Sequence, residues 1–322
     1  MNNKAEIVRD ALRRFPKLPK KTIARYILHE YGDIFDGNLE AIRSIIRYKT
    51  GTNGELTRQA VKDPIEKEPA KMPPTWRRTK TPFKLDPGLW LVLSDIHVPF
   101  HEQKPLEAAI KYGQEQKVSG VFINGDLQDC AAVSYWPSVI NRKFDKEIEL
   151  VIDFLDFLEH ELPVKTVYKA GNHEYRLPRL FASKVPELIG LPLLAMDTVL
   201  GLESRGIELV DFYQIVMAGK LPIIHGHEIK TLSRAVNPAR GLFLRAKSWS
   251  ACSHCHSTSE HTARNIRGEY LTTWSFGCLC DLSPDYSSIG NDWNWGLALV
   301  NVEKNGAFEV VNKRILPNGN VV

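Results

Sequence analysis

Apolar positions along the chain fall into two textures. In the first, residues recur at spacings of three and four within "AEIVRDALRRF", "KKTIARYILHEYG" and "NLEAIRSIIRYKTG", as Leu39, Ile42, Ile45 and Ile46 show. That period predicts three amphipathic helices. Asn38 is a natural N-cap for the third and Gly51 a natural stop. Residues 1–61 are therefore expected to form a small three-helix module of the winged-helix or helix-turn-helix type. Arg43, Arg47 and Lys49 would project from its last helix. A basic helical bundle used for homo-oligomer contacts explains the same pattern equally. Residues 62–87 carry prolines and charges without apolar periodicity and read as a linker.

The second texture begins at residue 88. Short apolar runs, "LWLVLSDIH", "VSGVFINGD", "TVYKAGNH" and "LPIIHGH", each stop at a polar cluster and read as buried strands ending in functional loops. Amphipathic stretches, "KPLEAAIKYGQEQK" and "KFDKEIELVIDFLDFLEHEL", lie between them, and "LALVNVEKNGAFEVVNKRI" predicts a hairpin turning at Asn305-Gly306. Alternating strands and helices predict an α/β layered domain over residues 88–322, with its ligand site where strands end.

Composition changes this picture little, with 43% apolar and 25% charged residues. The polar start and the absence of any apolar run near the roughly 18 residues of a membrane span point to a cytoplasmic protein without membrane contact. Charge is more informative. Residues 1–85 hold 19 Lys and Arg against 10 Asp and Glu, a surplus of nine, so a chain of net charge +4 leaves −5 for residues 86–322. A basic first quarter suits a polyanion such as nucleic acid, with Arg77 and Arg78 joining Arg43, Arg47 and Lys49 as candidate phosphate contacts. Trp249, Trp274, Trp293 and Trp295 either line a groove or belong to the core.

Five cysteines, an odd number, suggest reduced thiols rather than a disulfide framework. "ACSHCHS", residues 251–257, raises the alternative of a zinc knuckle from Cys252, Cys255, Cys278 and Cys280. Its spacing, C-x2-C with C-x-C, is not the usual pair. Cys255 also lies between two histidines and in an extended segment points away from their side, so core or near-site thiols are the simpler expectation.

Taken singly, the polar clusters have plain explanations: D-x-H and G-N-H are good turn sequences, and His101 and His227 suit surface or satisfied core histidines. Taken in order, Asp95, His97, Asp126, Asn172, His225, His254 and His256, each after an apolar run, are the inventory for two metal ions sharing one carboxylate. The succession D-x-H, G-D-x-x-D, G-N-H-E, H and H-x-H closely resembles the calcineurin-like metallophosphoesterases over about residues 88–310. "GNHEYR" and "GCLCDLSPDY" look most like a branch common in phages and prophages.

The resemblance implies a layered β-sandwich flanked by helices. It implies a first metal on Asp95, His97 and His256, a second on Asn172, His225 and His254, and Asp126 bridging both. His173 would donate a proton to the leaving oxygen after in-line attack by a hydroxide held between the ions, with Asp129 orienting it. Mn²⁺ suits the mixed carboxylate, amide and imidazole set, with iron, zinc or nickel as alternatives. Glu174 is expected to be structural. Arg176 would meet a substrate phosphate through its planar fork or pair with Glu174 on the surface. Ser253 stands where the family places glycine, a departure that could shift His254 and weaken the second metal, yet with both histidines present an intact dinuclear site is expected.

The function expected is a phosphodiesterase or nuclease of the bacterial or phage-infected cytoplasm. The alternatives are a phosphomonoesterase or cyclic-nucleotide phosphodiesterase, and an idle nucleic-acid-binding or phage assembly protein. Removing residues 1–85 is expected to lower activity on DNA or RNA while sparing a small chromogenic diester; equal loss on both would end the targeting reading.

Overall fold

In the first unit of the chain, side chains from three helices close over one another in the order the periodicity predicts. The computed structural model describes residues 3–52, 54–56, 58, 72, 81–135, 143–230, 232, 236–284 and 290–322. The chain divides into two compact units, Met1–Arg77 and Arg78–Val322. In the first, α1 (Lys4–Arg14), α2 (Lys20–Tyr31) and α3 (Leu39–Thr50) bury Ile7, Val8 and Ala11, Ile23, Ala24 and Ile27, and Ile42 and Ile46 around Phe35. Asn38 caps α3 as expected, its side-chain oxygen accepting the N–H groups of Glu40 and Ala41.

The basic residues of α3 do not all face solvent. Lys49 falls three residues after Ile46, on the buried stripe, and is 3% exposed, with its ammonium 2.7 Å from Glu55. Its aliphatic stem packs while its charge is paired, so Lys49 does not project as expected. Arg43 and Arg47 stay on the surface, both paired with Glu40. Arg77 and Arg78 lie outside the described residues.

The second unit is built on two six-stranded sheets. One has the order β12-β11-β2-β3-β4-β5, with β2 (Gly88–Leu93), β3 (Gly120–Asn124), β4 (Lys165–Lys169) and β5 (Glu208–Val210) parallel. The hairpin of β11 (Gly296–Val302) and β12 (Phe308–Arg314) is added antiparallel through β11. The other has the order β1-β6-β7-β8-β10-β9: β1 (Phe83–Leu85), β6 (Val216–Ala218), β7 (Leu221–Ile223), β8 (Ser250–Cys252), β9 (Ser259–Arg264) and β10 (Tyr270–Ser275).

Strand alternation assigns each apolar run to two cores at once. Trp90, Val92, Phe122 and Val167 pack between the sheets against Val216, Leu221, Ile223, Ala251 and Trp274. Leu91, Leu93, Val121 and Ile123 point the other way, into α4 (Gln103–Gln116) and α5 (Phe144–Glu161) through Leu106, Ile110, Val151 and Leu155. A sheet covered on both faces has continuously apolar strands, which is why these runs lack a polar alternate.

One boundary differs from the sequence expectation. Phe83–Leu85, expected within the linker, pairs in parallel with β6 in register Phe83↔Val216, and Leu85 enters the inter-sheet core. Three residues are too few to show a period, and their partner lies far along the chain. A truncation aimed at the basic region must therefore stop before Phe83 to spare the sheet. Among the described residues no helix is long and apolar enough to cross a membrane.

Candidate metal centre

The polar clusters follow strands of both sheets. Asp95 and His97 come after β2, Asp126 and Asp129 after β3, Asn172 and His173 after β4, His225 after β7, and His254 and His256 after β8. Five of them, Asp95, His97, Asp126, His254 and His256, have φ between +52° and +69°. Side chains other than glycine rarely hold this conformation, which costs about 1–3 kcal/mol per residue. Such strain persists where the surroundings over-determine it, and the restraints here are specific. Asp95 N–H donates to Gly125 O, His97 N–H to Asp126 O, and His254 N–H to Asp95 Oδ2.

The resulting cluster brings all seven expected ligands together. His97 Nε2 lies 3.3 Å from His256 Nε2, and His256 Nε2 lies 3.2 Å from Asp95 Oδ1. His225 Nε2 stands 3.1 Å from Asp126 Oδ2 and 3.2 Å from Asn172 Oδ1. His254 joins Asp126 and His225, their ligand atoms within 4.8 Å of one another. Two imidazole nitrogens face to face cannot both donate, and Asp95 Oδ1 is buried without a well-formed hydrogen bond. Both are what a site shaped around cations presents, and the donor set of carboxylate, amide oxygen and imidazole suits borderline divalent ions.

The electrostatics agree. Burial would raise the carboxyl groups of Asp95 and Asp126, yet His256 beside the first, and His225 and His173 beside the second, hold both below the ordinary carboxylate range. Burial pulls His225 down, but Asp126 and Asp95 carry it up to about 10; His256 reaches about 9 in the same way through Asp95. His254, buried beside His225, falls to about 4. His225 and His256 thus favour protons where cations would otherwise balance the carboxylates.

The residues around this cluster explain its shape. Glu174 is buried and accepts the N–H groups of Asp126, Gln128 and Gly171 and the hydroxyl of Tyr168, tying two ligand loops together. Asp129 Oδ1 lies 3.1 Å from His97 Nδ1 and 3.3 Å from His173 Nδ1, while the Asp129 carbonyl lies 2.7 Å from His173 Nδ1. Arg176 does not turn to Glu174. Its Nη1 donates to Asp129 O at 2.7 Å and its Nη2 lies 2.9 Å from His173 Nε2.

Three supports were missed in the sequence. Lys169, fully buried at the end of β4, pairs with Glu228 at 3.1 Å, and Glu228 accepts the N–H groups of His225 and Gly226. Burial raises Glu228, but Lys169 holds it down to about 2. A lysine in the apolar run "TVYKAGNH" was the available signal. Glu147 from α5 accepts the Cys130 N–H beside Asp129, and burial together with that carboxylate lifts it to about 7.

Ser253 does not displace His254. It is fully buried at an ordinary φ, its N–H donates to His225 O, and its hydroxyl accepts from Asn124 Nδ2 at 2.8 Å. The close approach falls at Gly226 instead, where a Cβ would meet Ser253 O at 2.8 Å and His254 Cβ at 2.9 Å. All five cysteines are free, and among the described residues Cys252, Cys255, Cys278 and Cys280 do not gather into one metal group, although Cys280 stands within ligand range of His97 and His256. Cys252 packs with Leu232, Leu242 and Cys255, whereas Cys280 Sγ lies 3.8 Å from His256 Nδ1. His227 is neither a surface nor a satisfied core histidine: both ring nitrogens are buried without a hydrogen bond. His101 likewise buries Nδ1 without one. The tryptophans separate, Trp274 entering the inter-sheet core and Trp293 packing edge-on against His256 at 4.1 Å.

Two buried carboxylates among imidazoles, with a further histidine and an arginine alongside, are the equipment of a metal-dependent phosphoester hydrolase. The chain belongs to the calcineurin-like phosphoesterase family, whose model matches residues 90–270. The Gene 54 protein of Mycobacterium phage L5 is 24% identical over 230 residues, covering 66% of this chain and 88% of that protein. Among solved structures, vacuolar protein sorting 29 from Cryptosporidium parvum is similar at 13% identity and a TM-score of 0.36, covering 71% of this chain and 99% of its own. A dimetal phosphatase from Danio rerio is similar at 10% identity and a TM-score of 0.36, covering 71% and 96%.

Replacing Ser253 by alanine is expected to lower stability by about 1 kcal/mol, since Asn124 Nδ2 keeps Ile224 O and loses one buried partner. Thermal unfolding measures this, and metal content should be unchanged. Loss of one metal equivalent would instead show that the hydroxyl positions the second site.

Proposed function

We propose that the protein is a dinuclear metal-dependent phosphodiesterase that cleaves nucleic acid. The observation that carries the proposal is the convergence of the seven candidate ligands, with His173 3.9 Å from Asp126 and Arg176 2.9 Å from His173. Asp95, His97 and His256 would hold one ion, Asn172, His225 and His254 the other, with Asp126 between them. When bound, two divalent ions supply an activated water and neutralise phosphate charge during in-line displacement. Mn²⁺ is the first choice for this donor set.

The remaining steps belong to the protein. Arg176 would move its planar guanidinium from His173 onto the phosphate oxygens, a bidentate partner. In the present arrangement His173 Nε2 must offer a lone pair to Arg176 at 2.9 Å. Once that contact is released, Asp126 and Asp129 favour protonation of the ring, since they raise His173 despite its burial. His173 can then give a proton to the leaving oxygen, with Nδ1 held by the Asp129 carbonyl. The basic surplus of residues 1–85 supports a polyanionic substrate, and we place the reaction in the cytoplasm of a bacterium or phage-infected cell.

His173→Ala is expected to lower kcat by about 10²- to 10⁴-fold on an oligonucleotide, whose alkoxide leaving group needs a proton. The loss should be much smaller on a nitrophenyl diester. Parallel assays with Mn²⁺ check this, and equal losses would remove His173 from the acid role. Asp126→Asn should abolish both activities together with metal binding.

The ligand assignment also fixes a pH dependence. His225 and His256, held near 10 and 9 without metal, carry protons at neutral pH and must lose them to coordinate. Metal affinity should rise with pH up to those values, with about two protons released as the pair of sites fills. Calorimetry in buffers of different ionisation enthalpy measures the count, and none released would contradict the assignment.

A further inference from the structure

Beside the ligands stands a column of rings with no part in the chemistry just described. His227 lies 5.4 Å from the His225 ring and 6.4 Å from the His254 ring. Phe212 stacks on His227 at 3.9 Å and 24°, and Tyr175 stacks on Phe212 at 4.3 Å and 17°. Tyr175 and His227 must take opposite faces of Phe212, because two rings stacked at that range on one face would collide. Tyr213 packs edge-on against Phe212 at 4.4 Å and stands 6.3 Å from Tyr175. At the end away from the ligands Tyr175 is 41% exposed, while Tyr213, beside the middle of the column at 6.3 Å from both Tyr175 and His227, is 61% exposed.

Its placement is held by the same groups that hold the ligands. The Lys169 ammonium donates to Phe212 O at 2.9 Å while pairing with Glu228, which accepts the N–H groups of His225 and Gly226. Tyr213 N–H donates to Asp211 Oδ1, fixing the turn. Tyr175 sits between Glu174, which ties the ligand loops, and Arg176, which reaches His173. Ring and guanidinium are thus consecutive residues at the start of α6 (Arg176–Lys184). A cluster serving only to cover the core would bury its outermost rings.

We infer that the open face of Tyr175, flanked by Tyr213, seats a nucleobase of the substrate strand next to the scissile phosphate. The inference rests on the phosphodiesterase reading for the position of that phosphate. Stacking tolerates any base, because every base offers a π-face. It requires an unstacked base, so the substrate class is single-stranded nucleic acid or a splayed end rather than intact duplex.

The test compares two fluorescein-labelled single strands of equal length, both phosphorothioate to resist cleavage, one with bases and one abasic. Each is titrated with the full chain in Mn²⁺ and followed by anisotropy. The wild type is expected to bind the base-bearing strand about 5- to 150-fold more tightly, the range for one stacked base. Tyr175→Ala should bring that ratio close to one, and Tyr175→Phe should restore it, which separates stacking from damage to the fold. Equal affinities in the wild type, or a ratio undiminished in Tyr175→Ala, would overturn the inference. A wild type with the expected, Tyr175-dependent ratio that hydrolyses neither strand's phosphodiester counterpart would overturn the nuclease reading and leave the base seat standing.

Discussion

Asp95 and Asp126 place two fully buried carboxylates within 3.9 Å and 3.1 Å of a single imidazole nitrogen, His225 Nε2. A dry interior does not tolerate two such charges without positive charge between them. Much of the surrounding architecture follows from that demand. The backbone turns into the left-handed region at five candidate ligands so that their side chains converge on one volume. Two of the imidazoles, His225 and His256, favour their protonated forms in the absence of cations. The strain and the charge are therefore two aspects of one arrangement, since neither would persist without the other's restraint.

What keeps the arrangement rigid lies one layer further out. Glu174 joins the loops after β3 and β4 through three backbone N–H groups, and Glu228 fixes the loop after β7 through two. Each carboxylate is itself held, one by Tyr168 and the other by Lys169. Breaking such a buried pair by removing one partner typically costs about 3–5 kcal/mol, far more than a surface ion pair. The pair at Lys169 has a second role, because its ammonium also holds the Phe212 carbonyl and with it the aromatic column.

Much of this was legible in the sequence. The runs before Asp95, Asp126, Asn172 and His225 read as strands because both faces are covered, and the ordered clusters at their ends named the candidate residues that the fold gathers. The three helices of the first unit were equally plain, with Asn38 as a true cap. What escaped has physical reasons. β1 is three residues long and its partner is distant, so no local period betrays it. Lys49 and Lys169 carry the residue type least expected in a core, and only a partner supplied by the fold, Glu55 or Glu228, makes their burial tolerable. Ser253 seemed a flaw because the room for a side chain depends on Gly226, another strand's neighbour. The stacking of Tyr175, Phe212 and His227 joins three separate loops, and Phe212, the ring between the other two, adjoins no recognisable motif.

The centre draws Asp95, His97, Asp126 and Asn172 from loops of one sheet, and His225, His254 and His256 from loops of the other. Between the sheets lies a close-packed core of side chains from both. Any cation shared by both sets of loops acts as a rivet through the two layers at one edge. Occupancy would add to the cohesion of the sandwich in proportion to the logarithm of ligand concentration over its dissociation constant. The same few side chains would then serve reaction and register alike, and depletion of metal would be a mechanical event for the whole domain as well as a chemical one for its site.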